Sequence, residues 1–330
     1  MPAPPVPASL QIIVNATKVE YVQLVQLTKG LSTWDTANVY SSGINEEIIG
    51  KAIQKFALPR HKLTILANCC GTVPDEPGIF SWPFEARMQK SKDYVNQGGE
   101  QLCVNMRRLS RGAILKAVDA SLKRLGKDYI ALLQIHMYDA SVPPEETMKA
   151  LHDLVQAGKV NYIGASSMWT YQNARMQFIA EKNGWTNFVS MQNRYNLGYS
   201  EEERGMNKFC NETGVGLIPW GHLFSGLLAK PWGVESARSK MSVAMSGGLT
   251  EADEIINKRV QEVAERKGWK MNQVALVWIR EKGCIPIVDL NSTSIERLDE
   301  ACAVRDMTLS ADEVKYWEGP YAPKPIAGHI

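Results

Sequence analysis

The chain has 330 residues, of which 45% are hydrophobic and 22% are charged, and its formal net charge is +2. This composition excludes intrinsic disorder and is typical of one large globular domain or two ordinary ones. The near-neutral charge gives no indication of a nucleic-acid or membrane-surface partner. No apolar run approaches the ~20 residues that a membrane span requires.

Residues 1–30 are predicted to be a proline-rich tail with a possible remnant of a first structural repeat. Residues 31–330 are predicted to form one domain that ends in a C-terminal tail. The opening sequence MPAPPVPASLQIIVNATK lacks the basic segment of a secretory signal. Six cysteines are too few for a disulfide framework in a chain of this size and show no metal-ligand spacing. We therefore expect reduced thiols, no metal and a cytoplasmic location.

From residue 31 onward the chain repeats one unit, an apolar strand followed by an amphipathic helix. Strands are predicted at 31–38, 62–69, 129–137, 161–166, 188–193, 215–221 and 284–290. Helices are predicted at 46–56, 111–125, 145–156, 171–182, 201–213, 253–266 and 272–282. Several helical segments end in glycine, which takes the left-handed conformation without a Cβ clash. Gly126, Gly158, Gly184 and Gly214 lie at intervals of 32, 26 and 30 residues.

This alternation predicts an α/β protein with a parallel sheet. Seven strands of one repeat favour a (β/α)8 TIM barrel with a truncated or irregular first βα unit, and a barrel of roughly 250 residues fits the chain length. A doubly wound sheet is the alternative, but no G-x-G-x-x-G motif follows the first strand. The missing eighth strand is expected before residue 31, at 11–14 or 21–24.

Polar and aromatic side chains stand at the predicted ends of six strands, where a barrel keeps its active site. They are Asp35, Asn68, His136, Ser166 with Ser167, Gln192 and Trp220, and Tyr40 follows Asp35 on the adjoining loop. One such residue alone would be explained by a helix cap or a strand-end hydrogen bond. Six on one face indicate a polar site. The available chemistry is proton transfer, because Tyr40 can donate a proton and His136 can hydrogen-bond an oxygen.

The segment 291–300, NSTSIERLDE, follows the last predicted strand and is a second candidate site. Helix N-termini bind phosphate through free N–H groups, and Arg297 could hold a phosphate with two hydrogen bonds. Taken alone, this segment is explained more simply as an ordinary capped helix on the surface.

Five segments carry a resemblance to a known family: WDTANVYSSGINEEIIGKAI (34–53), DASLKRLGKDYIALLQIH (119–136), KVNYIGASSMWTYQ (159–172), SMQNRYN (190–196) and GLIPWGHLFSGLLA (216–229). In order and spacing they resemble the aldo-keto reductase superfamily. The similarity is to the fungal secondary-metabolite branch with aryl-alcohol dehydrogenases and versiconal hemiacetal acetate reductases. It implies a (β/α)8 barrel over residues 31–330 that binds NADPH without a Rossmann motif. It also implies a small-molecule carbonyl substrate in a secondary-metabolite or mycotoxin pathway.

The resemblance also implies a role for each matched residue. Tyr40 would be the general acid that protonates a carbonyl oxygen as hydride arrives at carbon, His136 would orient that oxygen, and Asp35 would tune the acid. Ser166 and Gln192 would hold the nicotinamide carboxamide, and Trp220 would stack on its ring. Ser167, Leu223 and Ser225 fall at further cofactor positions, and Asn291, Ser292, Arg297 and Glu300 fall at the 2′-phosphate and adenine.

The most consequential departure from the family is Asn68, which stands where the catalytic lysine is expected. A nearby cation lowers the pKa of a tyrosine from ~10 toward working pH. Asn68 can hydrogen-bond Tyr40 but carries no charge, so a slower reductase is predicted. Ser225 replaces an arginine near the pyrophosphate, and Asn291 replaces a lysine that often meets the 2′-phosphate.

Three functions are compatible with these residues. The first is NADPH-dependent reduction of an aldehyde or ketone. The second is a repurposed barrel that catalyses a redox-neutral isomerisation or dehydration with Asp35, Tyr40 and His136. The third is a non-catalytic binding subunit. The substrate and the oligomeric state stay open at this point.

Overall fold

The computed structural model describes residues 30–71, 109–234, 248–290 and 295–329, together with the strand Ile13–Ala16. Its backbone contacts divide the chain into two compact units. The N-terminal unit comprises Asn15–Ser190, Asn291–Thr293 and His329–Ile330. The C-terminal unit comprises Met1–Val14, Met191–Leu290 and Ser294–Gly328.

The N-terminal unit is built on four adjacent parallel strands. They are β2 (Thr33–Ala37), β3 (Thr64–Cys69), β4 (Ile130–Ile135) and β5 (Val160–Ser166), and β1 is the strand Ile13–Ala16. Asn68 pairs with Ala37 on one side and with Gln134 on the other. This register places the polar side chains of Asn68 on β3 and Gln134 on β4 at the same level.

Among the described residues of this unit, four α-helices accompany the strands: α1 (Ile44–Lys55), α2 (Arg111–Leu125), α3 (Pro144–Gln156) and α4 (Thr170–Asn183). α2 begins after Ser110, whose Oγ accepts a hydrogen bond from the Ala113 N–H, and it ends at Gly126 with φ of 60°. The apolar face that the sequence predicts for this helix is buried, including Ile114 and Val118. Its burial fixes α2 against the sheet.

The C-terminal unit contains the strands β7 (Gly216–Leu217) and β8 (Ile287–Leu290). The α-helices that the structure describes in this unit are α5 (Met206–Thr213), α6 (Glu251–Lys267), α7 (Met271–Glu281), α8 (Ile295–Cys302) and α9 (Ala311–Glu318). α7 is buried along most of its length, and its Trp278 packs on Tyr195 with ring centroids 5.0 Å apart.

With β6 (Phe188–Gln192), the hydrogen-bonded strand order is β7-β6-β5-β4-β3-β2-β1-β8. The two ends of this order are also bonded, because the Ile285 N–H donates to Leu217 C=O at 2.9 Å and the Ile287 N–H donates to Pro219 C=O at 3.0 Å. This order is the one that the predicted (β/α)8 barrel requires.

β1 supplies the strand that the sequence predicts before residue 31, and it overlaps the expected segment 11–14 by two residues. Two other strands are shorter than predicted: 215–221 becomes Gly216–Leu217, and 284–290 becomes Ile287–Leu290. Pro219 and Pro286 lie in the predicted segments, and proline has no N–H to donate to a strand ladder.

The predicted helix 201–213 is wrong in its first half. A 3₁₀ turn, Glu201–Arg204, precedes α5, and the two are separated by Gly205 with φ of −151°. Glu201 and Glu202 are buried in this turn because each carboxylate accepts hydrogen bonds inside the unit. The turn aims both side chains inward, which a continuous surface helix would not do.

Candidate active site

Asp35 and Asn68 form a buried hydrogen-bonded pair in the N-terminal unit. Each is 1% exposed. Asn68 Nδ2 donates to Asp35 Oδ1 at 3.1 Å and to the Thr36 carbonyl at 2.9 Å. Both hydrogens of the amide are therefore used. The hydrogen bond from Asn68 to Tyr40 that the sequence allows is replaced by one to Asp35.

The oxygen of Asn68 extends this pair into a longer chain. Gln134 Nε2 donates to Asn68 Oδ1 at 3.3 Å, and Ser190 Oγ donates to Gln134 Oε1 at 3.3 Å. All three donors point toward Asp35, so each hydrogen bond polarises the next. We call Ser190, Gln134, Asn68 and Asp35 the Asp35 chain. It presents neutral dipoles to the Asp35 carboxylate.

Gly164 makes room for the far end of the Asp35 chain. A Cβ at this position of β5 would overlap Ser190 Oγ and would lie 3.2 Å from Gln134 Cγ. Sequence reasoning missed Gln134 and Ser190. The available signal was a glutamine inside the otherwise apolar run of β4.

Tyr40 and His136 lie side by side in the same unit. Their ring centroids are 6.1 Å apart, and the rings meet edge to face at 84°. His136 directly follows β4, where its N–H donates to Cys69 C=O at 2.8 Å. Tyr40 opens a tight turn in which Ser41 and Ser42 have left-handed φ of 49° and 55°. Both rings are half-buried, and a phenol beside an imidazole suits proton transfer to a substrate oxygen.

Ser166 and Ser167 form a hydroxyl pair where β5 ends. Their Oγ atoms are 3.1 Å apart and both residues are buried. Ser167 has a left-handed φ of 48°, which turns the chain sharply after the strand. The structure thus supplies two adjacent hydroxyls at a strand end, as the sequence predicts.

The remaining described candidates belong to the C-terminal unit. Gln192 is buried at the end of β6. The half-buried Trp220 is fixed by its backbone: its N–H donates to Asn193 C=O at 3.0 Å, and its C=O accepts from the Tyr195 N–H at 3.3 Å. These two bonds place Arg194, which sequence reasoning missed, opposite Trp220 in a parallel bridge.

Leu223 and Ser225 lie on a strained loop after β7. Phe224, Ser225 and Gly226 have φ of 47°, 56° and 88°. A left-handed conformation in a bulky residue such as Phe224 costs about 1–3 kcal/mol and persists only where packing holds it. The Phe224 ring occupies the space that a Cβ on Gly198 would need. Close packing of the Phe224 ring against Gly198 therefore accompanies this backbone conformation.

The segment at 291–300 is described only from residue 295 onward, so Asn291 and Ser292 lie outside the described residues. Arg297 is exposed on α8. Glu300 accepts hydrogen bonds from Lys270 and from Asn272, the latter at 2.6 Å. Burial disfavours the Glu300 anion, but these two donors outweigh it and hold the pKa of Glu300 below its usual value.

In the described ranges, no group of three His, Cys, Asp or Glu side chains could hold a metal ion. No helix among those residues has the length and apolar character of a membrane span.

Known proteins are similar to this chain in sequence. The aldo/keto reductase family model matches residues 13–321. An aldo-keto reductase of Fusarium vanettenii is 48% identical over 309 residues, which cover 91% of this chain and 80% of that protein. The versiconal hemiacetal acetate reductase of Aspergillus parasiticus is 44% identical over 304 residues, or 90% of this chain and 85% of that protein.

A solved structure is also similar. A thermostable aldo-keto reductase, in complex with the inhibitor epalrestat, has a TM-score of 0.67 and 22% sequence identity, with 96% of this chain and 95% of that chain covered.

The chain belongs to the aldo/keto reductase family. This is a family of nicotinamide-dependent oxidoreductases that act on carbonyl compounds, and its fold is a (β/α)8 barrel. The predicted fold class and the resemblance to fungal secondary-metabolite reductases are confirmed.

Proposed function

We propose that this protein reduces an aldehyde or ketone of a secondary-metabolite or toxin pathway with NADPH, and that Tyr40 donates the proton. The observation that carries the proposal is the Tyr40–His136 ring pair at 6.1 Å, in which the two residues follow β2 and β4, the strands that also carry Asp35 and Gln134 of the Asp35 chain. The relative from Aspergillus parasiticus is named for reduction of a versiconal hemiacetal acetate, which supports a small metabolite as substrate.

The chain's own residues account for the proton. Tyr40 is half-buried, so its hydroxyl can meet a substrate oxygen while most water is excluded. His136 stands edge-on to it and can hydrogen-bond the same oxygen, which polarises the carbonyl. When bound, the nicotinamide cofactor supplies the hydride, and protonation of the oxygen by Tyr40 completes the alcohol.

Asn68 influences the strength of Tyr40 as an acid through its hydrogen bond to Asp35. Its amide hydrogens are used by Asp35 and Thr36, and it brings no positive charge to the site. Proton transfer by a positioned side chain contributes roughly 10²–10⁴-fold to an enzymatic rate. We therefore propose a reductase that keeps the positioning of the family but lacks the charge of its lysine.

The C-terminal unit has one feature that fits an anionic dinucleotide. Arg194 carries a half-buried guanidinium whose contacts, among the described residues, are the faces of two aromatic rings. Ser166 and Gln192 would hold the carboxamide, and Trp220 would cover the nicotinamide ring. Arg297, exposed on α8, would meet the 2′-phosphate and give a weak preference for NADPH over NADH.

Tyr40→Phe tests the proposal. Removing the hydroxyl should lower kcat/KM for a generic aldehyde by at least ~10²-fold, with NADPH affinity and the fold retained. Tyr171→Phe is the matched control, because Tyr171 is 68% exposed on α4 and loses the same atom. Steady-state turnover and calorimetric NADPH titration measure the two effects.

Turnover of Tyr40→Phe above ~10% of the wild-type rate would remove Tyr40 from the acid role. A wild-type protein that binds neither NADPH nor NADH would refute the reductase proposal and leave the redox-neutral and non-catalytic alternatives.

A further inference from the structure

Arg194 lies in an environment that leaves its charge without a bonded anion. The guanidinium carbon is 4.9 Å from the centroid of the Tyr199 ring and 5.7 Å from that of Phe224. Within the part of the chain that the structure describes, no carboxylate or carbonyl accepts a hydrogen bond from this guanidinium. Burial lowers the pKa of Arg194, and Tyr199, Tyr321 and Asp253 only partly oppose that effect.

The carboxylate that acts on Arg194 from a distance already has a cation of its own. Asp253 is 1% exposed in its side chain and forms an ion pair with Lys324. The Lys324 ammonium also lies 4.8 Å from the Phe224 centroid. Arg194 and Lys324 therefore contact the same aromatic ring, and Lys324 is the one that is ion-paired with Asp253. Buried charges in proteins are normally paired, so the guanidinium of Arg194, which among the described residues has ring contacts but no bonded anion, can accept an anion from outside the unit.

We infer that Arg194 binds the pyrophosphate of the nicotinamide cofactor. This inference rests on the proposed function. Arginine presents five N–H donors in a planar fork that matches phosphate oxygens, and ring stacking orients that fork without consuming its donors. Ser225, on the neighbouring loop, carries no charge, so we expect Arg194 to supply the positive charge that faces the pyrophosphate.

The position of Arg194 indicates that it binds the pyrophosphate of the cofactor and not the 2′-phosphate. Arg194 follows Gln192 by two residues and is bridged to Trp220, and both residues are proposed at the nicotinamide. In the cofactor the pyrophosphate is the first anionic group beyond the nicotinamide ribose, whereas the 2′-phosphate is on the adenosine. Gly221 adjoins this bridge with φ of 72°, and a Cβ there would lie 3.9 Å from Arg194 Cγ.

The test measures how substitutions of Arg194 and of Arg297 change the affinities for NADPH and for NADH. Arg194→Met retains an apolar side chain between the two rings and removes the fork. We expect the dissociation constants of NADPH and NADH, measured by calorimetry, to rise by the same factor, about 10- to 100-fold. Arg194→Lys restores the charge without the fork and should recover part of the loss. Arg297→Ala should weaken NADPH alone, because NADH lacks the 2′-phosphate.

Arg175→Met is the charge-matched control, since Arg175 is exposed on α4, and thermal unfolding shows that each variant is folded.

If the wild type binds both cofactors and Arg194→Met binds them equally well, the inference is wrong and the proposed function stands. A loss confined to NADPH would also overturn it, because Arg194 would then contact the 2′-phosphate. A raised KM for 4-carboxybenzaldehyde, but not for 4-methylbenzaldehyde, with cofactor affinity unchanged, would assign Arg194 to the substrate instead. Failure of the wild type to bind either cofactor would overturn both proposals.

Discussion

The two units surround a charged side chain with different kinds of partner. In the N-terminal unit, Asp35 receives a row of neutral donors that end in a hydrogen bond from Asn68. In the C-terminal unit, Arg194 lies on the faces of Tyr199 and Phe224, which attract a cation but use none of its N–H groups. The first charge is stabilised within the fold, and the second is available to a ligand.

This difference separates stability from binding. A group whose hydrogen bonds are complete within the fold contributes to the free energy of unfolding whether or not a ligand is present. A group held ready for a ligand contributes when the ligand binds. Changes in internally satisfied groups should therefore appear in unfolding experiments, and changes in Arg194 should appear in cofactor titrations.

The largest expected effect is that of Lys324→Met, which sharpens the comparison within the C-terminal unit. Lys324 and Arg194 contact the same Phe224 ring, but Lys324 is paired with the buried Asp253. Removing the ammonium leaves a buried carboxylate without its cation, and such a loss costs about 3–5 kcal/mol of unfolding free energy. Urea denaturation measures this change.

Asp253→Asn in the Lys324→Met background is the matched control. It removes the unpaired charge while an amide oxygen can still accept the hydrogen bonds that Asp253 receives from Thr250 at the start of α6. The double variant should recover much of the lost stability. A loss below about 1 kcal/mol in Lys324→Met would show that water compensates the carboxylate and would break the contrast with Arg194.

Gly164→Ala should have the next largest effect, and it acts on the Asp35 chain. The added Cβ would overlap Ser190 Oγ, and its contacts with Gln134 Cγ and the Ser190 carbonyl, both at 3.2 Å, are also tight. Overpacking of this kind costs about 1–3 kcal/mol. Urea denaturation should show the loss equally with and without NADPH, since the strain is internal to the fold.

Ser190→Ala in the Gly164→Ala background removes the overlapping oxygen and should restore part of the stability. Full recovery is not expected, because Gln134 Oε1 loses its donor. If Gly164→Ala is as stable as the wild type, Ser190 can move away freely, and the order of the Asp35 chain is not fixed by packing.

The sequence is a good guide to the strands, the helices and the strand-end residues, because apolar runs and helix periodicity are local properties. It does not reveal the Asp35 chain, because the bond between Gln134 and Asn68 depends on strand register and burial across 66 residues of chain. The sequence likewise does not reveal the roles of Arg194 and Lys324. Their partners Tyr199, Phe224 and Asp253 come together only through the tertiary structure.

The boundaries of β7 and β8 were predictable in principle. Pro219 and Pro286 are visible in the sequence, and each removes a donor from its strand. The inward turn at Glu201 was not predictable, because its partners Tyr321 and Lys324 follow more than 100 residues later.

The smallest expected effect belongs to Asn68→Lys, which replaces the neutral end of the Asp35 chain by a charge. An ammonium can donate to Asp35 Oδ1 and to the Thr36 carbonyl, the two acceptors that Asn68 now serves. Gln134 can adapt by turning its amide, because Oε1 would then face the ammonium and Nε2 could donate to Ser190 Oγ, which is able to accept. Asp35 compensates the buried charge, so the variant should fold.

The new cation should lower the pKa of Tyr40 and strengthen it as an acid. We expect kcat/KM for an aldehyde to rise tenfold or more, which is ~1.4 kcal/mol of barrier, and the pH–rate profile to move to lower pH. Asn68→Met is the control, since it has similar bulk without charge and should give no gain. An equal gain in both variants would show that the effect comes from the bulk of the side chain and not from its charge. No gain in Asn68→Lys, with NADPH still bound, would mean that the neutral Asp35 chain already serves Tyr40 as well as a lysine would. The Asp35 chain would then be a functional substitute for the cation rather than a weakened version of the family's site.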